Sequence, residues 1–271
     1  MHAMKTAQVQ TLREATSVLN FVVVGQVRSG SAVVQSALNN LNAVTCHNDL
    51  FHASPAVRRQ AHEQYFGPAP SKDLPTWWMP DGMSPYQYLT RQVFDQNMQS
   101  EQAIGIRLTY EQVDRFQFYD LIRDRCMEGD FCLIHIRRNP VSCFVSQKQA
   151  QETGCFAVDL NHRRNTAVPQ PVIVDPQELT QFVRKHEAIA GKVAAHCDDT
   201  LEIDYRELAR NYSNTLKRTL DFIEQPTRTV PQPHYKRLPN TDMVKRIANF
   251  DELRQKVPAD IREFLVPGTL Y

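Results

Sequence analysis

Three short stretches hold residues whose types and spacing can do chemistry. The first is Gln26-Val27-Arg28-Ser29-Gly30-Ser31-Ala32, which follows an apolar run and opens a helical pattern. Backbone N–H groups at a helix start, with a guanidinium beside them, make a cradle for an anion. Gly25 and Gly30 stand five apart, as in the Walker A loop, yet Ser31 and Ala32 occupy the positions where an NTPase needs Lys and Ser/Thr. The second stretch, Arg137-Arg138-Asn139-Pro140, also follows an apolar run, and Ser146 lies eight residues beyond Arg138. A basic loop at that place can contribute to a local cluster that holds an anion. The third, "CHNDLF", offers Asp49, His47 and His52 as groups able to take a proton from a hydroxyl. His47 lies two residues from Asp49, on the same side if the segment is extended.

The elements that must position these residues alternate in type. Leu19 to Val24, Ala43 to Cys46, Ala103 to Leu108, Phe131 to Ile136 and "TLEIDY" read as strands. Helical patterns run from Ser31, as a cap, through Leu41, from Pro55 to Tyr65, Tyr86 to Met98, Tyr110 to Cys126, from Pro140, and from an Asp175 cap to about Ala195. Strand–helix alternation implies crossovers and a parallel sheet: a P-loop-like three-layer α/β/α fold with about five central strands and a helical C-terminal segment. No repeat or linker divides the chain, so residues 1–271 read as a single domain, with 1–17 as an arm. In such sheets ligands sit beyond the carboxyl ends of the strands, which brings the loops after Val24, Leu108 and Ile136 together, Arg107 among them.

Composition narrows the partners. The 271 residues carry a net charge of +1 with 42 % hydrophobic residues, so bulk electrostatics do not suggest nucleic acid, and an anion must be held by a local cluster. The apolar run near the N-terminus is far short of the roughly 20 residues of a membrane span, and no signal-peptide core precedes it. The six cysteines include no CxxC pair and read as reduced thiols of a cytoplasmic protein, and no His or Cys spacing suggests a metal. His135, inside an apolar strand, reads as a core histidine, while Trp77 and Trp78 and the segment His162 to Asn165 lie in polar loops where an acceptor could be recognised.

"RSGS" after one buried strand and "IRRNPVSCFVS" after another resemble the two nucleotide signatures of sulfotransferases that use 3′-phosphoadenosine 5′-phosphosulfate. "CHNDLF", "GIRLTYEQ" and "DYRELARN" are similar to segments of bacterial carbohydrate sulfotransferases of the trehalose and nodulation-factor type. The resemblance spans about residues 19 to 255. It implies that Arg28, Ser29, Gly30, Ser31 and Ala32 hold the 5′-phosphosulfate, that Arg138 and Ser146 hold the 3′-phosphate with Lys236 of "HYKRLPN" over it, and that Asp49 stands where that branch usually carries Glu, which ranks Asp49 first as the base and His47 second. It also implies a sugar or glycolipid acceptor, no metal, no membrane span, and room for a homodimer. A sulfuryl donor carries its own leaving group, which accounts for a phosphate loop without Lys or a metal ligand. From the residues alone, a P-loop kinase and a non-catalytic phosphonucleotide-binding protein stay open beside the transferase.

Overall fold

A computed structural model describes residues 18–67, 83–95, 103–129, 131–154, 170–227, 229–233 and 242–265. The five strands among them are β1 (Leu19–Gly25), β2 (Val44–His47), β3 (Ala103–Thr109), β4 (Phe131–Arg137) and β5 (Thr200–Asp204). All pair in parallel, in the order β2-β3-β1-β4-β5. β1 is buried at every position because both sheet faces are covered, which is why its sequence, Asn20 apart, is a run of apolar residues instead of an alternation.

Helices cover both faces. On one, Val22 and Val24 of β1, Ile104, Ile106 and Leu108 of β3, and Leu133 of β4 pack under α4 (Tyr110–Arg115), α5 (Tyr119–Glu128) and Ile189, Ala190 and Val193 of α7 (Pro176–Ala195). The opposite face carries Phe21, Val23, Ile134, Ile136 and Ile203 beneath α1 (Ser31–Leu38), α8 (Tyr205–Arg210) and α9 (Tyr212–Phe222). A third cluster joins Val141, Phe144 and Val145 of α6 (Pro140–Thr153) to Leu179 and Val183 of α7. Met243, Phe250, Leu253 and Ile261 of the short α10 (Met243–Arg246), α11 (Phe250–Lys256) and α12 (Ala259–Arg262) complete it. The expected three-layer α/β/α architecture and helical C-terminal segment are both present.

Local chemistry explains most boundaries. Asp175 caps α7, its Oδ1 accepting from the amides of Gln177 and Glu178, with Pro176 at the first position. Asn139 caps α6 likewise, accepting from Ser142, ahead of Pro140. Four expectations need correction. Ser31 is the first residue of α1 and not its cap, because Gly30, with φ 98, takes the preceding place. The helix expected over Tyr110 to Cys126 is two helices, since Gln117 turns to φ 53 between them and Phe116 and Phe118 drop against Phe51. The pattern from Tyr86 starts earlier, as α3 (Pro85–Tyr88) behind a Ser84–Gln87 capping box, and widens into a π-helical turn, Leu89–Phe94. Beyond α2 (Pro55–Phe66), Trp77 and Trp78 lie outside the described residues.

The fourth correction concerns the thiols. Cys126 at the end of α5 and Cys197 just after α7 form a disulfide across 71 residues of sequence, whereas Cys46, Cys132 and Cys143 are buried outside any disulfide. Spacing along the chain gave no sign of that pair because the sheet alone brings the two helix ends together. Among the described residues no helix is long and apolar enough to cross a membrane, and no group of three or more His, Cys, Asp or Glu could hold a metal ion.

Candidate anion and transfer site

β1 ends at Gly25, and the chain turns into α1 within five residues. The Ser29 amide donates to the Gln26 carbonyl at 3.0 Å, which closes the turn and removes that N–H from the expected cradle. The first-turn amides of Ser31 and Ala32 stay outside the intrahelical ladder, as at any helix start. Arg28 holds φ 70 and Gly30 φ 98. A Cβ at Gly30 would lie 2.8 Å from Cδ2 of Tyr205, and one at Gly25 would meet the Ser29 hydroxyl at 2.6 Å and the Ile136 carbonyl at 2.9 Å. Both glycines of the loop are therefore required by close approach.

The turn aims Arg28 at the second motif. Arg28 Nε donates to Ser146 Oγ at 3.1 Å, and Arg138 Nη1 donates to the Arg28 carbonyl at 2.6 Å. The Arg138 guanidinium lies over the Tyr205 ring, 4.0 Å from its centroid, a cation–π contact that fixes its plane. Its Nε is buried without a hydrogen-bond partner. The neighbouring Arg137 has a different fate. It leaves β4 on the other face, donating to Glu187 of α7 at 2.9 Å, with Glu202 of β5 3.8 Å away. Arg137 is thus neutralised, while no carboxylate pairs with Arg138 among the described residues.

A third arginine joins them that no motif signalled. Arg246 donates through Nε at 3.2 Å and Nη2 at 2.8 Å to Gln149 Oε1, one turn beyond Ser146 on α6. It is brought there by an isolated parallel bridge between Val172 and Ile247, in which the Val172 amide donates to the Arg246 carbonyl at 3.0 Å. Burial, together with the Arg138 and Arg28 charges, pushes its guanidinium down to about 10. Three cations gathered at one place raise one another's cost unless an anion arrives, so the pocket suits a multiply charged anion. Lys236 lies outside the described residues, as do His162 to Asn165.

Asp49 stands two strands from this loop, since β3 lies between β2 and β1; at strand spacing that is about 10 Å. Its backbone is also left-handed, with φ 58. Arg107 Nη2 donates to Asp49 Oδ1 at 3.2 Å, Asn48 Nδ2 donates to Oδ2 at 2.8 Å, and Asn48 Oδ1 accepts from Arg107 Nε at 2.8 Å. The loop argument placed Arg107 with the loops after Val24 and Ile136, whereas its side chain pairs with Asp49, beyond β2. His47, by contrast, is fully buried between Tyr65 and Phe66, ring centroids 4.5 and 5.2 Å away, with neither nitrogen hydrogen-bonded. Burial pushes it down to about 4. His52 accepts the Ser54 amide at 3.1 Å and serves the turn. His135 is a core residue, as expected, 2.6 Å from the Tyr110 hydroxyl and pushed down to about 4 chiefly by burial.

Comparison with known proteins gives one family. A family model described as the sulfotransferase family matches residues 20–229. No protein with a curated description matches. Among solved structures, the chain is similar to a sulfotransferase from Alicyclobacillus acidocaldarius at 15 % identity, covering 92 % of this chain and 93 % of that one, with a TM-score of 0.49. It is also similar to mouse sulfotransferase SULT7A1 complexed with PAP at 14 % identity, covering 82 % and 64 %, TM-score 0.37. A third is the sulfotransferase domain of the Synechococcus PCC 7002 olefin synthase, at 14 % identity, covering 95 % and 92 %, TM-score 0.42. The assignment rests on the 20–229 match and not on these structural likenesses.

Proposed function

The chain belongs to the sulfotransferase family, and we propose that it moves a sulfuryl group from 3′-phosphoadenosine 5′-phosphosulfate to a hydroxyl of a carbohydrate or glycosylated small molecule. The observation that carries the donor reading is the convergence of Arg28, Ser146 and Arg138 across the two motifs. The residues fit the donor: Arg138 Nε is buried and unpartnered, Ser146 offers a hydroxyl, and Arg246 has no carboxylate partner among the described residues. In this reading Arg138, Ser146 and Arg246 hold the 3′-phosphate. The amides of Ser31 and Ala32 take the 5′-phosphate, and Arg28 stabilises the charge that collects on the leaving oxygen.

The transfer balances without a cation. The acceptor oxygen forms a bond to sulfur as the bond from sulfur to the 5′-phosphate oxygen breaks, the acceptor proton passes to the Asp49 carboxylate, and 3′,5′-adenosine bisphosphate leaves. Asp49 is preferred over His47 as the base because it is partly exposed and bears two polar neighbours, whereas His47 is sealed among aromatic rings. The carbohydrate acceptor follows from the likeness of "CHNDLF" and "GIRLTYEQ" to the carbohydrate branch.

The test has two arms. 3′,5′-Adenosine bisphosphate at 100 times its Kd stabilises the fold by about 2.7 kcal/mol, read as a rise in Tm, and ATP with Mg²⁺ does much less. Equal shifts would point to a kinase. A panel of methyl glycosides incubated with labelled donor, followed by mass detection of the sulfated product, identifies the acceptor class; bisphosphate binding with no product from sugars, phenols or aliphatic alcohols would leave a binding protein.

A further inference from the structure

We propose that Arg107 and Asn48 are positioning residues that hold the Asp49 carboxylate in one reaction-ready orientation; this rests on the reading of Asp49 as the base. The three side chains form a closed ring. Arg107 Nε and Nη2 both donate to Asn48 Oδ1, Asn48 Nδ2 donates to Asp49 Oδ2, and Arg107 Nη2 donates to Asp49 Oδ1. Each carboxylate oxygen therefore has one donor, leaving a further lone pair on each oxygen for an acceptor hydroxyl. The ring also settles which way the Asn48 amide faces, since only its oxygen can receive the guanidinium.

Two further observations separate this ring from an ordinary surface ion pair. Arg107 is largely buried, 14 % exposed in its side chain, and it projects from β3, a rigid strand flanked by β1 and β2. Asp49 is one of four non-glycine residues with positive φ among those described, and Arg28 is another. Left-handed backbone costs of order 1–3 kcal/mol and persists only where the surroundings over-determine it. Here the surroundings include the Arg107 fork from β3, the Asn48 amide, and the Asp49 carbonyl accepting the His52 amide at 3.0 Å. The two left-handed residues stand on either side of β3's end, one toward the donor and one toward the acceptor. A base one carbon shorter than Glu has less reach, and a fixed carboxylate compensates by occupying one place.

The experiment is a double-mutant cycle with a structural arm. Crystal structures of the wild type and of Arg107→Ala, each with 3′,5′-adenosine bisphosphate, are expected to show the carboxylate displaced by about 1 Å or more in the variant, and an unmoved Asp49 overturns the proposal. In rate measurements with the methyl glycoside turned over fastest, Arg107→Ala is expected to lower kcat roughly 100-fold, with bisphosphate affinity unchanged. Arg107→Lys, which keeps the charge but loses the fork on Asn48, and Asn48→Ala are expected to fall between. The deciding comparison is Asp49→Ala against Asp49→Ala/Arg107→Ala. If Arg107 acts through Asp49, the double variant is no slower than Asp49→Ala alone. If the losses multiply, Arg107 acts on the substrate directly or on the fold, and the proposal is overturned while Asp49 keeps its role. An Asp49→Ala single variant with full activity removes the base reading itself.

Discussion

Arg28 and Ser146, 118 residues apart in sequence, are joined by a 3.1 Å hydrogen bond from the guanidinium Nε to the hydroxyl. That bond ties the loop after β1 to the middle of α6. Because Arg138 simultaneously donates to the Arg28 carbonyl, the two anion motifs are one structure before any ligand arrives. A preorganised pocket of this kind spends little of its binding energy on ordering itself.

The first prediction concerns the 3′-phosphate. Truncating a charged hydrogen-bond donor to an anion costs about 1.5–3 kcal/mol, or roughly 10- to 100-fold in affinity. Arg138→Ala and Arg246→Ala are each expected to lose that much affinity for 3′,5′-adenosine bisphosphate while leaving the weaker binding of adenosine 5′-monophosphate nearly unchanged. Calorimetric titration with both nucleotides checks it. Equal losses for the two ligands would move these arginines away from the 3′-phosphate.

A second prediction tests the turn. Gly30→Ala places a methyl 2.8 Å from the Tyr205 ring at a φ of 98, where side chains are disfavoured by about 1–2 kcal/mol before any clash. For a chain of this size that is a fall in Tm of roughly 2–8 °C. Tyr205 also carries the Arg138 guanidinium on its face, so pushing the ring aside weakens bisphosphate binding as well. Gly67→Ala is the control: its φ is also positive, 84, but nothing stands within 4 Å, so it keeps nucleotide affinity.

The sheet was legible because parallel strands buried on both faces read as apolar runs, and α7 because Asp175 and Pro176 state its start chemically. The turn after β1 was legible because it is made of one chain segment, whose two glycines show their spacing. What was not legible depends on contacts between distant segments. Arg246 carries no motif and reaches the arginine cluster through contacts of its segment with distant residues, the Val172–Ile247 bridge among them. Arg137 and Arg138 look alike in sequence, and only the placement of Glu187 and Glu202 tells which is neutralised. His47 ranked second to Asp49 as a base, and its burial was not legible: the strand extends through it, and α2 covers it with Tyr65 and Phe66.

That burial yields a third prediction. His47 and His135 are each pushed from 6.5 down to about 4, in both cases mainly by burial. The unfolded chain therefore binds protons below about pH 6.5 that the folded protein refuses until about pH 4. Stability falls as pH drops through that window, by about 1.4 kcal/mol per pH unit for each histidine, and is unaffected by these groups above it. Thermal melts from pH 8 to 4.5 should show the decline, and His47→Phe should make it shallower by one histidine's share. An unchanged slope in the variant would mean that His47 is protonated in the folded state.

The disulfide supplies the last prediction. Cys126 and Cys197 tie α5 to the segment that leads from α7 into β5, and β5 is an edge strand whose partner, β4, carries Arg137 into the site's flank. Closing a loop of 71 residues constrains the unfolded chain by about 4 kcal/mol in the chain-entropy account. Reduction, or Cys126→Ser with Cys197→Ser, should therefore lower Tm by several degrees, and peptide mapping without reductant should recover the two cysteines in one cross-linked species. The anion pocket lies beyond the other end of the strands, so the reduced protein is expected to keep its bisphosphate affinity at temperatures where it remains folded. A loss of bisphosphate affinity in the reduced, still-folded protein would mean that β4 and β5 separate on reduction and carry Arg138 with them. Unchanged melting would mean that the unfolded chain is already held compact without the bridge.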